Sequence, residues 1–279
     1  MLPLEIFLLI FALLDDDAQV SMAMLSMVCK AFNTIIEPQL YSLISLHRDE
    51  AVQSFNTTMA TKSSDFLKTH VHGLILDAWS QVPNAELLST TCPNISKFCF
   101  GGHLSHRLAG YRIQPEHISV VGVFNHRRSV FENFDESLPF IHSATHLYFP
   151  DRPVPLHPAF PKLTHLSVYY QHNLLDNARF SSLLRHILDQ PCIQVVVIHV
   201  RGRVQLSEED MYTVVQDVPE CLDHRVVLWF GLVVRPNDNE LFAGQRVYPG
   251  AFQERLRMSW EYDGDEIWKI AEDRIASRK

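Results

Sequence analysis

Nine consecutive apolar residues, 6–14, lie almost at the start of the chain and end at three aspartates. The run carries two apolar stripes at helical spacing, one that begins at Ile6 and one that begins at Phe7, so a helix built from it has no polar face. A short helix that is apolar on all sides is buried in a core or shared with a partner. The pattern therefore predicts a first helix that is covered on more than one side.

Two other interpretations of this run fit its surroundings less well. A transmembrane helix needs about 20 apolar residues, and the aspartates stop the run well short of that length. A secretory signal peptide needs a basic residue before the run, where Glu5 stands, and a small-residue cleavage site before Asp15, which is missing. We therefore expect an intracellular protein, cytoplasmic or nuclear, that binds no membrane, and keep a secreted protein with a cleaved leader as an alternative.

Two further helical segments follow the aspartates. Residues 18–32 place apolar side chains at helical spacing, and a third apolar group begins at Ile35 and is interrupted at Glu37-Pro38. Three short helices in about 46 residues bury too little apolar surface to be stable alone. We expect this module to complete its core against another surface.

The order and spacing of these residues resemble the F-box motif. The resemblance covers residues 1–46 and rests on Leu2-Pro3-Leu4-Glu5-Ile6, then Ile10-Phe11 and Leu13, then Val28-Cys29-Lys30-Ala31-Phe32, then Ile35-Ile36-Glu37-Pro38-x-Leu40-Tyr41. F-box proteins dock through three helices on the Skp adaptor of the SCF (Skp–cullin–F-box) ubiquitin ligase, and the rest of the chain presents a target protein for ubiquitination. The resemblance implies nine adaptor contacts: Leu2, Pro3, Ile6, Leu9, Ile10, Val28, Cys29, Lys30 and Phe32.

One apolar pattern recurs along the rest of the chain. It reads apolar, two variable residues, apolar, one variable residue, apolar. It begins at Val71, Ile95, Ile118, Ala144, Leu163 and Ile193. These starts are 24, 23, 26, 19 and 30 residues apart, close to the period of about 20 to 29 residues of leucine-rich repeats. Each occurrence predicts one strand of an irregular leucine-rich-repeat-like α/β solenoid, the alternative being an ordinary α/β domain with irregular crossovers.

Helix-like segments separate several of these strands, at 84–90, 178–189 and 207–215. A last strand is predicted at 225–232. Asp263 with Glu266 can cap a final helix, and we expect Trp260 and Trp268 to close the end of the core.

The predicted fold class is thus α+β or α/β, in three parts. An N-terminal three-helix F-box spans 1–46, a linker or connecting helix spans 47–69, and a degenerate leucine-rich-repeat-like domain with a C-terminal capping helix spans 70–279.

Variable positions within the strands predict the target-binding surface. If the strands line a concave face, polar and aromatic side chains at these positions are typical of an interaction surface. Seven of them are candidates for target contact: His72, Lys97, His146, Tyr148, His165, Tyr169 and His199. A solvated strand face is the alternative for each.

Composition narrows the function classes. Hydrophobic residues make up 47% and charged residues 20%, which is typical of a globular chain and excludes disorder and collagen. With 24 Lys+Arg against 32 Asp+Glu the net charge is −8, and no long basic tract occurs, so we expect no nucleic-acid binding. Five widely spaced cysteines without a C-x-x-C motif indicate free thiols in a reducing compartment.

The sequence contains no catalytic constellation that we recognise. Neither a phosphate-binding glycine motif nor a G-x-S-x-G elbow occurs. Three histidine pairs have ligand-like spacings, His70-x-His72, His103-x-x-His106 and His142-x-x-x-His146, but no cysteine pair or H-E-x-x-H motif accompanies them. We therefore expect an adaptor without metal, cofactor or enzymatic activity. A repeat scaffold whose N-terminal helices only cap the solenoid, with no role in ubiquitin transfer, is the alternative.

Overall fold

A computed structural model gives the fold of the protein. The described residues are 24, 26–76, 81–101, 106–121, 138–149, 160–171, 177–201, 218–230, 242–244 and 264–278. They form an α/β fold with parallel strands, and the chain divides into two compact units, 1–97 and 98–279. The domain boundaries predicted at 46 and 69 stay predictions. No helix among the described residues combines the length and the apolar character that a membrane span requires.

The first unit contains four described helices: α1 (Lys30–Ser42), α2 (Asp49–Thr61), α3 (Ser64–His70) and α4 (Ala85–Thr91). The predicted helix boundary after Phe32 was wrong, because the chain is extended at Cys29 and α1 begins at Lys30. The predicted interruption at Pro38 was also wrong, since Pro38 lies inside α1. An internal proline costs a helix about 3 kcal/mol, and the burial of Ile36 beside it contributes to offsetting that cost.

Helices α1 and α3 pack through an aromatic and charged contact. The rings of Tyr41 and Phe66 meet edge to face with centroids 5.3 Å apart. The ammonium of Lys62 lies over both rings, 4.9 Å from the first centroid and 4.6 Å from the second, and forms an ion pair with Glu37. Together, these contacts hold α1 against the segment that follows α2.

A strand that the sequence analysis missed follows α1. Strand β1 (Leu43–Leu46) pairs in parallel with β2 (Gly73–Leu76), with Leu43 opposite Gly73. A Cβ atom on Gly73 would clash with Cδ1 of Leu43, so a larger residue at this position would require the leucine side chain to move. The predicted F-box segment therefore ends in a sheet strand rather than in a helix.

The strands of the second unit follow one another in chain order. Strand β3 (Lys97–Gly101) begins at the unit boundary and is followed by β4 (His117–Val121), β5 (His146–Phe149), β6 (His165–Gln171), β7 (Val195–Arg201), β8 (Val226–Phe230) and β9 (Phe242–Gly244). From β4 to β9, each strand pairs with the next, and every one of these pairs is parallel. The strand predicted at 225–232 is confirmed as β8, whereas β9 was not predicted.

One predicted repeat was out of register. The third occurrence of the pattern was predicted to start at Ile118, but Ile118 lies opposite Leu147, which is the fourth position of the next occurrence. The occurrence therefore begins three residues earlier, at Pro115. A proline is a poor match to an apolar pattern position, so the pattern by itself does not identify this start.

Helices predicted at 84–90 and 178–189 are confirmed as α4 and as α5 (Asn177–Leu188). The side chain of Asn84 accepts a hydrogen bond from the backbone N–H of Leu87 at 2.9 Å, as an N-cap residue does. For α5, the guanidinium of Arg225 donates a hydrogen bond to the carbonyl of Leu188 at 2.8 Å and so satisfies a backbone acceptor at the carboxyl end of the helix. The segment predicted as a helix at 207–215 lies outside the described residues.

Two helices of the second unit cover opposite faces of the sheet. The C-terminal helix predicted from the sequence is confirmed as α6 (Gly264–Ser277), and it packs Ile267, Trp268, Ala271 and Ile275 against Val195, Val197 and Val227. On α5, Phe180 contacts Tyr170 with ring centroids 4.5 Å apart. Because side chains alternate along a strand, Tyr170 and Val195 belong to different faces. Asp263 and Trp260, expected to cap the helix and close the core, lie outside the described residues.

An aromatic cluster forms a further part of the core. Phe140, in a 3₁₀ turn (Pro139–Ser143), meets Phe98 and Phe100 edge to face with centroids 5.3 and 5.7 Å apart, and Tyr111 lies 6.0 Å from Phe98. All four side chains are fully buried. Edge-to-face pairs contribute stability beyond the area they bury.

Replacement of Phe140 tests the importance of this cluster. We expect Phe140→Ala to lower the free energy of unfolding by about 3 to 5 kcal/mol, because it removes a buried ring and leaves a cavity. Urea unfolding followed by near-ultraviolet circular dichroism would measure the change. Leu222→Ala is the control, since Leu222 is 62% exposed and its truncation should change stability by no more than about 0.5 kcal/mol. Equal effects of the two substitutions would contradict the assignment of this core.

Candidate functional site: a row of stacked histidines

Three histidines begin three successive strands of the second unit. His117, His146 and His165 are the first residues of β4, β5 and β6, and the parallel register places each directly opposite the next. In a parallel sheet, equivalent side chains of neighbouring strands stand side by side on one face. We call these three residues the histidine row.

The imidazole rings of the histidine row are stacked. The centroids of His117 and His146 are 4.2 Å apart with an angle of 12° between the ring planes, and those of His146 and His165 are 4.1 Å apart at 20°. Three nearly parallel imidazoles therefore bring their ring nitrogens close together at the amino end of the sheet.

A threonine precedes each of the last two histidines and contacts its ring. The hydroxyl of Thr145 lies 2.8 Å from Nδ1 of His146, and the hydroxyl of Thr164 lies 2.8 Å from Nδ1 of His165. A hydroxyl both donates and accepts, so this contact suits a neutral or a protonated ring. Before His117 the equivalent position is occupied by Glu116. The first member of the row thus has a carboxylate where the others have a hydroxyl.

Helix α6 covers one end of the histidine row. Trp268 packs edge-on against His146 and His165, with ring centroids 5.3 and 5.5 Å apart, and the carboxylate of Glu272 lies 3.0 Å from Nε2 of His165. Burial lowers the pKa of His165, and the hydrogen bond to Glu272 opposes this effect without cancelling it. His165 is therefore inaccessible to a large partner while α6 is in place.

Polar side chains continue on the same face beyond the row. The hydroxyls of Ser119 and Ser167 are buried and have no hydrogen-bond partner among the described residues. Farther along, Tyr148 meets His199 edge-on with centroids 5.2 Å apart. Burial alone lowers the pKa of His199 to about 3, so this ring is neutral throughout the physiological range.

The target-contact residues predicted from the sequence fall into three groups. His146 and Tyr148 are half-buried on the face of the histidine row, whereas His72 is exposed and Lys97 half-buried in the first unit. His165 and His199 are buried, so the expectation that their side chains face a target was wrong: α6 covers the first, and the second is enclosed beside Tyr148. Tyr169 lies in β6 opposite His199, and its side chain is outside the described part of the structure.

Four of the nine adaptor-contact residues predicted from the sequence lie within the described residues. Val28 is 67% exposed, Cys29 and Lys30 are exposed, and Phe32 is half-buried on α1. The remaining predicted contacts lie outside the described residues: Leu2, Pro3, Ile6, Leu9 and Ile10.

The structure also brings together a group that the sequence analysis missed. Glu116, His117 and His146 each offer one ligand atom, and these atoms all lie within 4.8 Å of one another. The signal was present in the sequence as Glu116-His117, Thr145-His146 and Thr164-His165, each followed by alternating apolar residues. The misplaced start at Ile118 concealed it, because it put His117 outside the repeat.

Comparison with known proteins gives no relative: a scan against protein-family models found no match, and neither did searches of curated proteins and of solved structures. The function is therefore inferred from the residues of this chain.

The low pKa of His199 predicts loss of stability in acid. The folded pKa of about 3 lies below the ordinary value of 6.5, so below pH 6.5 the unfolded chain binds the proton and the folded chain does not. The contribution of this residue is complete near neutrality, and about 2 kcal/mol of it is lost between about pH 7.5 and pH 5. Urea unfolding at the two pH values would measure this loss.

His199→Gln should remove this part of the pH dependence, because glutamine does not titrate. His142→Gln is the matched control, since His142 is exposed and the variant should keep the wild-type dependence. An unchanged pH dependence in His199→Gln would contradict the assigned burial of His199.

Proposed function

We propose that the chain is an F-box protein that acts as a substrate-recognition adaptor of an SCF-type ubiquitin ligase. The ordered motif over residues 1–46 is the first support, because its apolar anchors follow the F-box order from Leu2 to Tyr41. In this function, the N-terminal module binds the Skp adaptor and through it the cullin, and the rest of the chain holds a target protein. The chain itself catalyses nothing and acts by raising the local concentration of target lysines near the ubiquitin-loaded enzyme.

An exposed apolar cluster carries the proposal on the structural side. Met24 is 61% exposed, Met27 is 79% exposed and Val28 is 67% exposed. Apart from Leu222, these are the large exposed hydrophobic residues of the described part of the chain. Adjacent exposed apolar side chains mark interaction surfaces, and Val28 is one of the residues that the F-box resemblance assigns to the adaptor.

The second unit fits a degenerate leucine-rich-repeat-like domain. Each strand from β4 to β9 pairs in parallel with the next along the chain, which is the order that stacked repeats produce. Helix α5 lies between β6 and β7 in the chain, as a strand-helix repeat requires. The position of α6 differs from what a repeat domain with an open concave face would have, because this helix packs on the face where target contacts were predicted. We therefore limit the proposed target contacts on this face to His146 and Tyr148.

Adaptor binding tests the proposal directly. Purified chain should form a complex with the Skp adaptor in size-exclusion chromatography and isothermal titration calorimetry. The double variant Met27→Asp and Val28→Asp should bind at least about tenfold more weakly, because it places two charges in an apolar interface.

Leu222→Asp is the matched control. Leu222 is exposed to a similar degree, at 62%, but lies in the second unit, so its replacement should leave the affinity for the adaptor unchanged. A wild-type chain that does not bind the adaptor would exclude the F-box function and leave the repeat scaffold as the better account.

A further inference from the structure

We propose that Glu116, His117 and His146 form a binding site for a divalent transition-metal ion of the Zn²⁺ class. The site lies in the second unit and shares only His146 with the proposed target contacts, and the adaptor-binding test above involves none of its residues. Either proposal can therefore fail without the other.

Backbone pairing fixes the positions of all three residues. His117 lies opposite His146 in the parallel pair of β4 and β5. The carbonyl of Glu116 accepts hydrogen bonds from the backbone N–H groups of Thr145 and His146 at 2.9 and 3.1 Å. The three ligand atoms lie within 4.8 Å of one another, on backbone that these hydrogen bonds and strand pairs hold in place.

The donor set selects the class of ion. Two imidazole nitrogens with one carboxylate oxygen suit Zn²⁺ and its neighbours among the transition metals, whereas Ca²⁺ and Mg²⁺ prefer all-oxygen sites. Three protein ligands leave a fourth tetrahedral position for water or for a donor atom of a bound partner.

A hydrogen bond with a neighbouring hydroxyl orients one of the two histidines. The hydroxyl of Thr145 engages Nδ1 of His146 at 2.8 Å, as outer-shell groups do for histidines that ligate metals through the other nitrogen. In our proposal Nε2 of His146 is therefore the ligating atom.

Metal binding requires a local change in the histidine row. The rings of His117 and His146 are within 12° of parallel, so their nitrogen lone pairs do not yet converge on one point. Zn–N bonds of about 2.1 Å in a tetrahedral site place ligand atoms about 3.4 Å apart. The two rings must therefore tilt toward each other, and the exposed side chain of Glu116 can close over the ion with little resistance.

Titration of the full-length chain with ZnCl₂ tests the site. Isothermal titration calorimetry should show one ion bound per chain, and the visible absorption of Co²⁺, used as a probe, should indicate tetrahedral coordination. His117→Gln and His146→Gln should each weaken binding at least about tenfold, because each removes a ligand. Glu116→Gln should weaken it about tenfold by the loss of the anionic donor.

His142→Gln is the control for adventitious binding at surface histidines. His142 is exposed and lies four residues before His146, but it does not belong to the site, so its replacement should leave the affinity for Zn²⁺ unchanged. Circular dichroism of each variant checks the fold. If a histidine variant is misfolded, Glu116→Gln alone decides the outcome, because its side chain is exposed. The proposal is overturned if the wild type binds no ion, if Glu116→Gln binds as tightly as the wild type, or if His142→Gln loses the binding.

Discussion

In-register parallel pairing in the second unit is the constraint from which its other features follow. Parallel strands in register repeat the same side-chain position at neighbouring points on one face, so that three histidines from segments 19 and 29 residues apart form one stack. A shift of one residue in β5 would move His146 to the opposite face and put Thr145 or Leu147 in its place. The histidine row and the polar residues beyond it on the same face are therefore brought together only in this register.

Sequence patterns predicted the elements that depend on local signals. Helices α4 and α5 were predicted as helix-like segments between the strands, and β8 was predicted from a continuous apolar run. Strand β1 was missed because its four residues follow α1 without a turn signal. The path of α1 through Pro38 was missed because tertiary burial, such as that of Ile36, contributes to offsetting the cost of the proline and is not visible in the local sequence.

The candidate site was less predictable because it depends on contacts between distant parts of the chain. His165 looked like an exposed strand residue, yet Glu272 and Trp268, more than 100 residues later in the sequence, cover it. His199 is enclosed for a similar reason, since the ring that packs against it belongs to Tyr148, two strands away. Alternation along a strand indicates which residues share a face, but it does not indicate what packs on that face.

Charge accounts for the arrangement at the two ends of the histidine row. Two protonated imidazoles about 4 Å apart would repel each other by about 4 kcal/mol at an effective dielectric constant of about 20, so a row of three needs either neutral rings or compensating charge. A carboxylate lies at each end: Glu272 contacts His165, and Glu116 lies near His117 and His146. At one end, Trp268 and Glu272 of α6 cover the buried imidazole of His165. At the other end, Glu116 is exposed, so this is the end where an added cation can reach two imidazoles and a carboxylate together.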